Sequence, residues 1–200
     1  SIYPRPRQKP MPPMWQMVSE AHDAIRGAAR LDMGVVMWRP SIAELKHRAR
    51  IYKTSHDESF GSDIRLGAKM AVVRDTFVAD SEAEARRIAE EACLGSLNFA
   101  NWRGPRIYLD PGEILDSEKE ASLKKTITYD FAAPRALMFG SPEQVADRIV
   151  ELAEETGRAA GDWQELRTLY TSPGFSSEQV ILFMATELYE IEQPERPEEH

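Results

Sequence analysis

Apolar positions along this chain alternate between two patterns: short unbroken runs, and longer stretches in which they recur at helical spacing. Met14-Trp15-Gln16-Met17-Val18 is the first short run, Ser19-Glu20 interrupts it, and a helical pattern follows over residues 22–31, ending near Gly34. Val35-Val36-Met37-Trp38 shows no alternation, as in a strand buried on both faces, and Arg39-Pro40-Ser41 stops it. Ser41 and Glu44 then form a capping-box pattern for a helix with Ile42, Leu45, Ala49 and Tyr52 on one face and a solvated basic face opposite. Residues 53–64 are polar and read as a surface loop, and a longer strand lies within 66–79, marked by Met70-Ala71-Val72-Val73 and Phe77-Val78. A second capping box, Ser81 to Glu84, opens a helix whose buried stripe is Ala85, Ile88, Ala89 and Ala92. Strands that keep alternating with helices imply parallel strands joined by right-handed crossovers, hence an α/β sheet or barrel.

Residues 96–138 break this rhythm and read as a loop insertion over one end. The best-defined helix follows over 139–157: Ser141 as cap, Pro142 at the first position, Gln144 closing the box and Gly157 ending it. Val145, Ile149, Leu152 and Ala153 share one face of it, and Glu143, Asp147, Glu151, Glu154 and Glu155 the other. Beyond it, 166–170 offers an eighth strand and 171–174 a turn. The last segment reads either as a closing helix over 176–191 or, through Val180-Ile181-Leu182-Phe183-Met184, as a strand. The expected organisation is one partial-barrel domain over 1–190, with 158–190 supplying the closing strand and helix, and an acidic tail over 191–200.

Composition narrows the function. A net charge of -8 over 200 residues gives no general support for binding a phosphate backbone, so no nucleic-acid partner is expected. No apolar run approaches the roughly 20 residues that span a bilayer, and no signal-peptide order is present, so the expectation is a cytoplasmic protein away from membranes. The proline-rich residues 1–13 suggest an extended arm, and the missing initiator Met fits a segment of something longer. Cys93 is alone and reads as a small buried hydrophobe. His22 reads as a first-turn surface residue, His47 sits among Lys46, Arg48 and Arg50, His56 falls in the polar loop and His200 is terminal, so spacing gives no metal cluster and no acid/base pair.

Several separated motifs point to one family. The arm through Trp15, Ile25-Arg26 with Ala28-Ala29, Val72-Val73-Arg74 with Phe77-Val78-Ala79, Glu82-Ala83-Glu84-Ala85-Arg86, Asn98-Phe99-Ala100-Asn101-Trp102-Arg103-Gly104-Pro105 and Phe139-Gly140-Ser141-Pro142-Glu143 resemble, in order, the later half of a luciferase-like flavin monooxygenase over about 1–157. The resemblance implies half of a TIM barrel, with strands five, six and seven, the insertion and the helix after it. It further implies reduced FMN as cofactor, a small organic substrate oxidised with oxygen, a flavin reductase as partner, and a flavin-phosphate contact at the turn Ser19, Glu20 and Ala21. Helix N-terminal amides favour an anion there. A deazaflavin in place of FMN stays open. Half a barrel leaves two open sheet edges, so the expected state is a homo-oligomer or a pairing with another half-barrel.

From Glu151 onward the chain resembles part of an ADP-ribose-type Nudix hydrolase, through Glu151-Leu152-Ala153-Glu154-Glu155-Thr156-Gly157, Tyr170-Thr171-Ser172-Pro173-Gly174-Phe175 and Leu182-Phe183-Met184-Ala185. Glu151, Glu154 and Glu155 match that family's metal-binding glutamates. Val150, Pro142 and Ala136 stand where its box has Arg, an acidic residue and Gly, and without them the glutamate face reads as solvated surface with no metal. The readings carried forward are a flavin monooxygenase, a non-catalytic half-barrel that works as an assembly module, and a Mg²⁺-dependent nucleoside-diphosphate hydrolase.

Overall fold

The computed structural model describes residues 7–99, 101–156, 158–170 and 179–190, with side chains described as far as residue 153. Its contacts fall into two compact units, Ser1–Thr156 and Gly157–His200, where the sequence reading took 1–190 as one domain.

In the first unit, strands and helices alternate as β1 (Trp15–Val18), α1 (His22–Arg30), β2 (Gly34–Trp38), α2 (Ile42–Phe60), β3 (Met70–Val73), β4 (Asp75–Val78), α3 (Glu82–Phe99), α4 (Ser117–Lys125), α5 (Tyr129–Ala136), β5 (Leu137–Gly140) and α6 (Pro142–Thr156). All strand pairs in this unit are parallel. Met17 lies opposite Val36, Val36 opposite Ala71, and Phe77 opposite Phe139. Arg74 alone separates β3 from β4, so residues 70–78 act as one strand position whose first half serves β2 and whose second half serves β5.

The local chemistry explains the helix starts. Ser41, Ser81 and Ser141 each accept from the backbone N–H three residues on, at 3.1, 3.2 and 3.3 Å, and Gln144 returns the bond to the Ser141 N–H at 2.9 Å. These are the three caps that the sequence predicts. Two boundaries differ from expectation. Residues 53–60, expected in a loop, continue α2 to Gly61, whose φ of 61° sits in the left-handed region that ends helices. Their polarity is internal: His56 is buried, with Nε2 2.8 Å from Asp32 Oδ1 and Nδ1 3.0 Å from Ser62 Oγ. The stretch 137–140, divided at the sequence level between insertion and helix, is β5; all four residues are buried, so no alternation marks it.

The two hydrophobic clusters lie on the helical side of the strands. Val18, Val35 and Met37 pack with Ile25, Ala28, Ala29, Leu45 and Tyr52, and Leu137 and Phe139 pack with Ala85, Cys93, Leu97, Tyr108 and Phe131. Side chains alternate across a strand, so Trp15, Met17 and Val36 project to the opposite side. On that side Trp15 is 49% exposed, Met17 58% and Val78 49%, while Met138 of β5 is 8% exposed. Gly34 is required beneath Trp15, because a Cβ at residue 34 would run into the indole.

The second unit is an antiparallel pair, β6 (Arg158–Tyr170) with β7 (Gln179–Glu190), in register at Leu169 opposite Val180 and Trp163 opposite Ala185, with an irregularity between Glu165 and Arg167. This corrects the closing helix expected over 176–191 and the eighth parallel strand expected at 166–170. A segment rich in Val, Ile and Phe takes the strand once a partner strand lies beside it. The turn at 171–174 and the tail at 191–200 lie outside the described residues. Among the described residues no helix is long and apolar enough to cross a membrane.

Candidate functional site

In parallel α/β sheets ligands gather beyond the carboxyl ends of the strands. Here the residues that follow β1, β2 and β3 are Ser19, Arg39 and Arg74. Ser19 is gripped twice: Arg48 Nη1 donates to its carbonyl at 2.9 Å, and Arg103 Nη1 donates to its hydroxyl. Glu20 lines a cleft of about 510 Å³ between this turn and residues 109–115. Ala21 is the N-cap of α1 and supplies no side-chain bond, so among the described residues the first-turn amides of that helix have no side-chain cap. The predicted trio is thus adjacent, with Ser19 engaged by arginines, Glu20 on the cleft wall and Ala21 at an open helix end.

A second set of side chains adjoins the turn. Arg48 donates through Nε to Glu44 Oε1 at 2.6 Å, and His22 Nε2 is 2.8 Å from the same oxygen. Burial pushes the Glu44 carboxyl up, but the hydrogen bonds from His22 and Arg48 outweigh it and hold the group below its ordinary value. The His47 ring meets His22 edge-on with centroids 5.1 Å apart. Glu44, Arg48 and His22 all line the cleft; His22 is in the first turn of α1 with a partly exposed side chain, as expected, and is also one end of a carboxylate-centred chain.

Behind the turn the strand ends hold buried cations. Arg39 is 3% exposed, has φ of 50°, and donates through Nη2 to Asp75 Oδ1 at 2.7 Å and Ser96 Oγ at 3.1 Å. A non-glycine residue in that region costs on the order of 1–3 kcal/mol, and such strain collects at functional sites. Arg74 is half-buried overall, yet both terminal nitrogens are buried with no hydrogen-bond partner among the described residues. Burial pushes its guanidinium down to about 10; Asp75 opposes the shift and Arg48 adds to it. Cys93 is buried as expected, and burial raises its thiol to about 11, which makes it a poor nucleophile.

The sequence reading missed Arg39, Arg48, Arg74, Arg103 and the His22–Glu44 pair. Partners 22, 29 and 84 residues apart carry no spacing signal. The one available cue was an Arg directly after two buried strand runs, at Trp38-Arg39 and Val73-Arg74. Among the described residues no group of His, Cys, Asp and Glu could hold a metal ion.

An anion suits this arrangement. The open end of α1 and the guanidinium groups of Arg48 and Arg103 meet at one turn, Glu44 is neutralised by its own partners, and Arg74 adds buried donors without acceptors. Glu20 opposes it at the turn, and Asp110, Glu113 and Glu120 line the same cleft. The turn itself, as distinct from the acidic cleft wall, offers donors that suit an anionic group such as a phosphate.

The luciferase-like monooxygenase family matches residues 1–159, and the chain belongs to that family. Among curated proteins, 2,5-diketocamphane 1,2-monooxygenase 1 of Pseudomonas putida is 31% identical over 93 residues, 45% of this chain and 25% of that protein. The ADP-ribose pyrophosphatase of Mycobacterium tuberculosis is 51% identical over 45 residues, 22% of each. The chain thus spans about a quarter of the length of these relatives. Among solved structures, the oxygenating constituent of 3,6-diketocamphane monooxygenase from Pseudomonas putida, a Type II Baeyer–Villiger monooxygenase in complex with FMN, shares 22% identity with a TM-score of 0.49, over 72% of this chain and 38% of that one. The coenzyme F420 dependent tetrahydromethanopterin reductase of Methanopyrus kandleri shares 13% identity with a TM-score of 0.50, over 72% of this chain and 42% of that one. The fold is the α/β half-barrel expected of the family.

Proposed function

We propose that this chain forms part of a flavin-dependent monooxygenase site, taking the phosphate of reduced FMN at the Ser19-Glu20-Ala21 turn and a small organic substrate in the adjoining cleft. The observation that carries this reading is the open N-terminus of α1 with Arg48 and Arg103 anchored on the same turn. When bound, the flavin supplies the activation of oxygen. The chain's own part is to bind and orient. Arg48 and Arg103 fix the turn and place positive charge beside it, while His22 and Glu44 set the polarity of the cleft wall. A separate flavin reductase supplies the reduced cofactor, and a single buried cysteine suits a reducing cytoplasm.

Titration of the purified chain with reduced and oxidised FMN tests the reading, with a deazaflavin arm to sort the cofactor. Saturable FMN binding is expected, weakened about tenfold by Arg103→Gln through loss of one charge-assisted contact. Absence of saturable binding by either flavin leaves the non-catalytic half-barrel instead. The 45-residue likeness to a pyrophosphatase leaves the hydrolase as a second reading; Glu151 is exposed, and the side chains of Glu154 and Glu155 lie outside the described residues.

A further inference from the structure

We propose that Ser62, His56 and Asp32 form a second reactive site, a nucleophile, base and orienting carboxylate that take the acyl group of a small uncharged carboxylic ester and pass it to water. Asp32 lies just before β2 and Lys69 just before β3, so the cluster sits at the amino ends of the strands, opposite to the Ser19 turn that follows β1. His56 Nδ1 is 3.0 Å from Ser62 Oγ, and its Nε2 is 2.8 Å from Asp32 Oδ1. With the Nε2 proton on Asp32, Nδ1 is left to accept from the serine hydroxyl, the order of contacts that activates a serine. That hydroxyl has a second acceptor in Asp57 Oδ1 at 3.1 Å. Asp57 already takes the Ile64 N–H at 2.9 Å and Lys53 Nζ at 2.7 Å, whereas Nδ1 has no other donor among the described residues.

Both reacting groups are held in one orientation, as such chemistry requires. Ser62 follows Gly61 at the end of α2 on a turn pinned to that helix: the Gly61 N–H donates to the Asp57 carbonyl at 2.8 Å, and Lys53 Nζ donates to the Ile64 carbonyl at 2.6 Å. The His56 ring is flanked by Tyr52 and Phe60, with centroids 6.1 and 4.7 Å away. Asp32 accepts from Lys69 as well as from His56, and those bonds hold its carboxyl below the ordinary value, so it stays ionised. Asp32 and Lys69 both have φ in the left-handed region, at 57° and 55°, a strain that collects at functional sites. The N–H groups of Ser62 and Asp63 have no hydrogen-bond partner among the described residues. The amides of a nucleophile and of the residue after it are donors that stabilise an oxyanion.

The surroundings set the substrate class. Ser62 is partly exposed, and Phe60, 51% exposed beside the imidazole, offers an apolar surface to the ester. The nearby charges are paired with one another, Lys69 with Asp32 and Lys53 with Asp57 and Asp63, which leaves none to select a charged substrate. Ser62 Oγ adds to the carbonyl carbon while its proton passes to His56 Nδ1. The C–O bond to the alcohol then breaks, and His56 returns the proton to the leaving oxygen. Water attacks the acyl-serine with His56 again as base, which releases the carboxylic acid and restores the hydroxyl.

Treatment of the whole chain with a fluorophosphonate, with the label mapped by peptide mass, and hydrolysis of p-nitrophenyl acetate test the proposal. The expected results are one label, on Ser62, and turnover above buffer that Ser62→Ala returns to background and His56→Gln lowers about 100-fold or more. A label elsewhere, an unlabelled Ser62 or turnover that survives both substitutions overturns the proposal and leaves the cluster as a clasp at the end of α2. Mapping on the unsubstituted protein decides the matter even if neither variant folds. No step involves flavin, so failure here is read separately from failure of FMN binding.

Discussion

Glu44 is 7% exposed and holds both Arg48 and His22 on one oxygen, so its charge is used inside the structure rather than in solvent. Glu44→Gln keeps the shape and removes the charge. It should lower stability by roughly 1–3 kcal/mol in urea denaturation at neutral pH, as expected for hydrogen bonds to a charged group. The sign of the pH effect follows from the direction of the shift. The folded carboxyl lies below its ordinary 4.5, so its contribution is present above that value and fades as pH falls through the folded value. The stability difference between the two proteins should therefore shrink in acid, and a constant difference across that window would contradict the assignment. At this scale little of the site was legible beforehand. Ser19, Glu20 and Ala21 could be named from a family resemblance, but the arginines around them come from α2, from the residue after β3 and from the insertion, and only folding brings those segments together.

The insertion is tied to α3 by side-chain amides as well as by its apolar core residues. Asn98, at the end of α3, donates to the carbonyls of Leu94 at 2.9 Å and Ile127 at 3.2 Å and accepts from the Ile127 N–H at 2.8 Å. Asn101 repeats the device on the carbonyls of Leu123 and Lys124, both at 3.0 Å. Asn98→Ala would leave the N–H of a fully buried Ile127 without its partner and should cost about 2–3 kcal/mol, read as a lower urea midpoint at unchanged slope. At the scale of elements the sequence was readable wherever a cap was local. Ser41, Ser81 and Ser141 announce α2, α3 and α6 because donor and acceptor lie three residues apart. It was unreadable where the deciding partner is remote. The far half of α2 looks like a loop until Asp32 and Ser62 are placed against His56, and β5 looks like a helix start until β4 is placed beside Leu137.

For the molecule as a whole, the alternation of strands and helices was enough to give parallel strands in an α/β sheet or barrel, because that order permits few other arrangements, and the family resemblance narrowed it to a half-barrel. The tail defeated the same reasoning. Residues 180–184 suit a strand or a helix equally, and the choice was made by the pairing of Arg158–Tyr170 with Gln179–Glu190, a feature without counterpart in the barrel pattern. One contact described above has a use of its own. The Trp15 indole lies over Gly34 and is half exposed, which makes it a built-in optical probe of that contact. Gly34→Ala would drive a Cβ into that indole and displace it, which should shift the tryptophan emission. With four tryptophans in the chain, Trp15→Phe is the control: it should remove most of that shift, and an undiminished shift would mean the colour change arises at another indole.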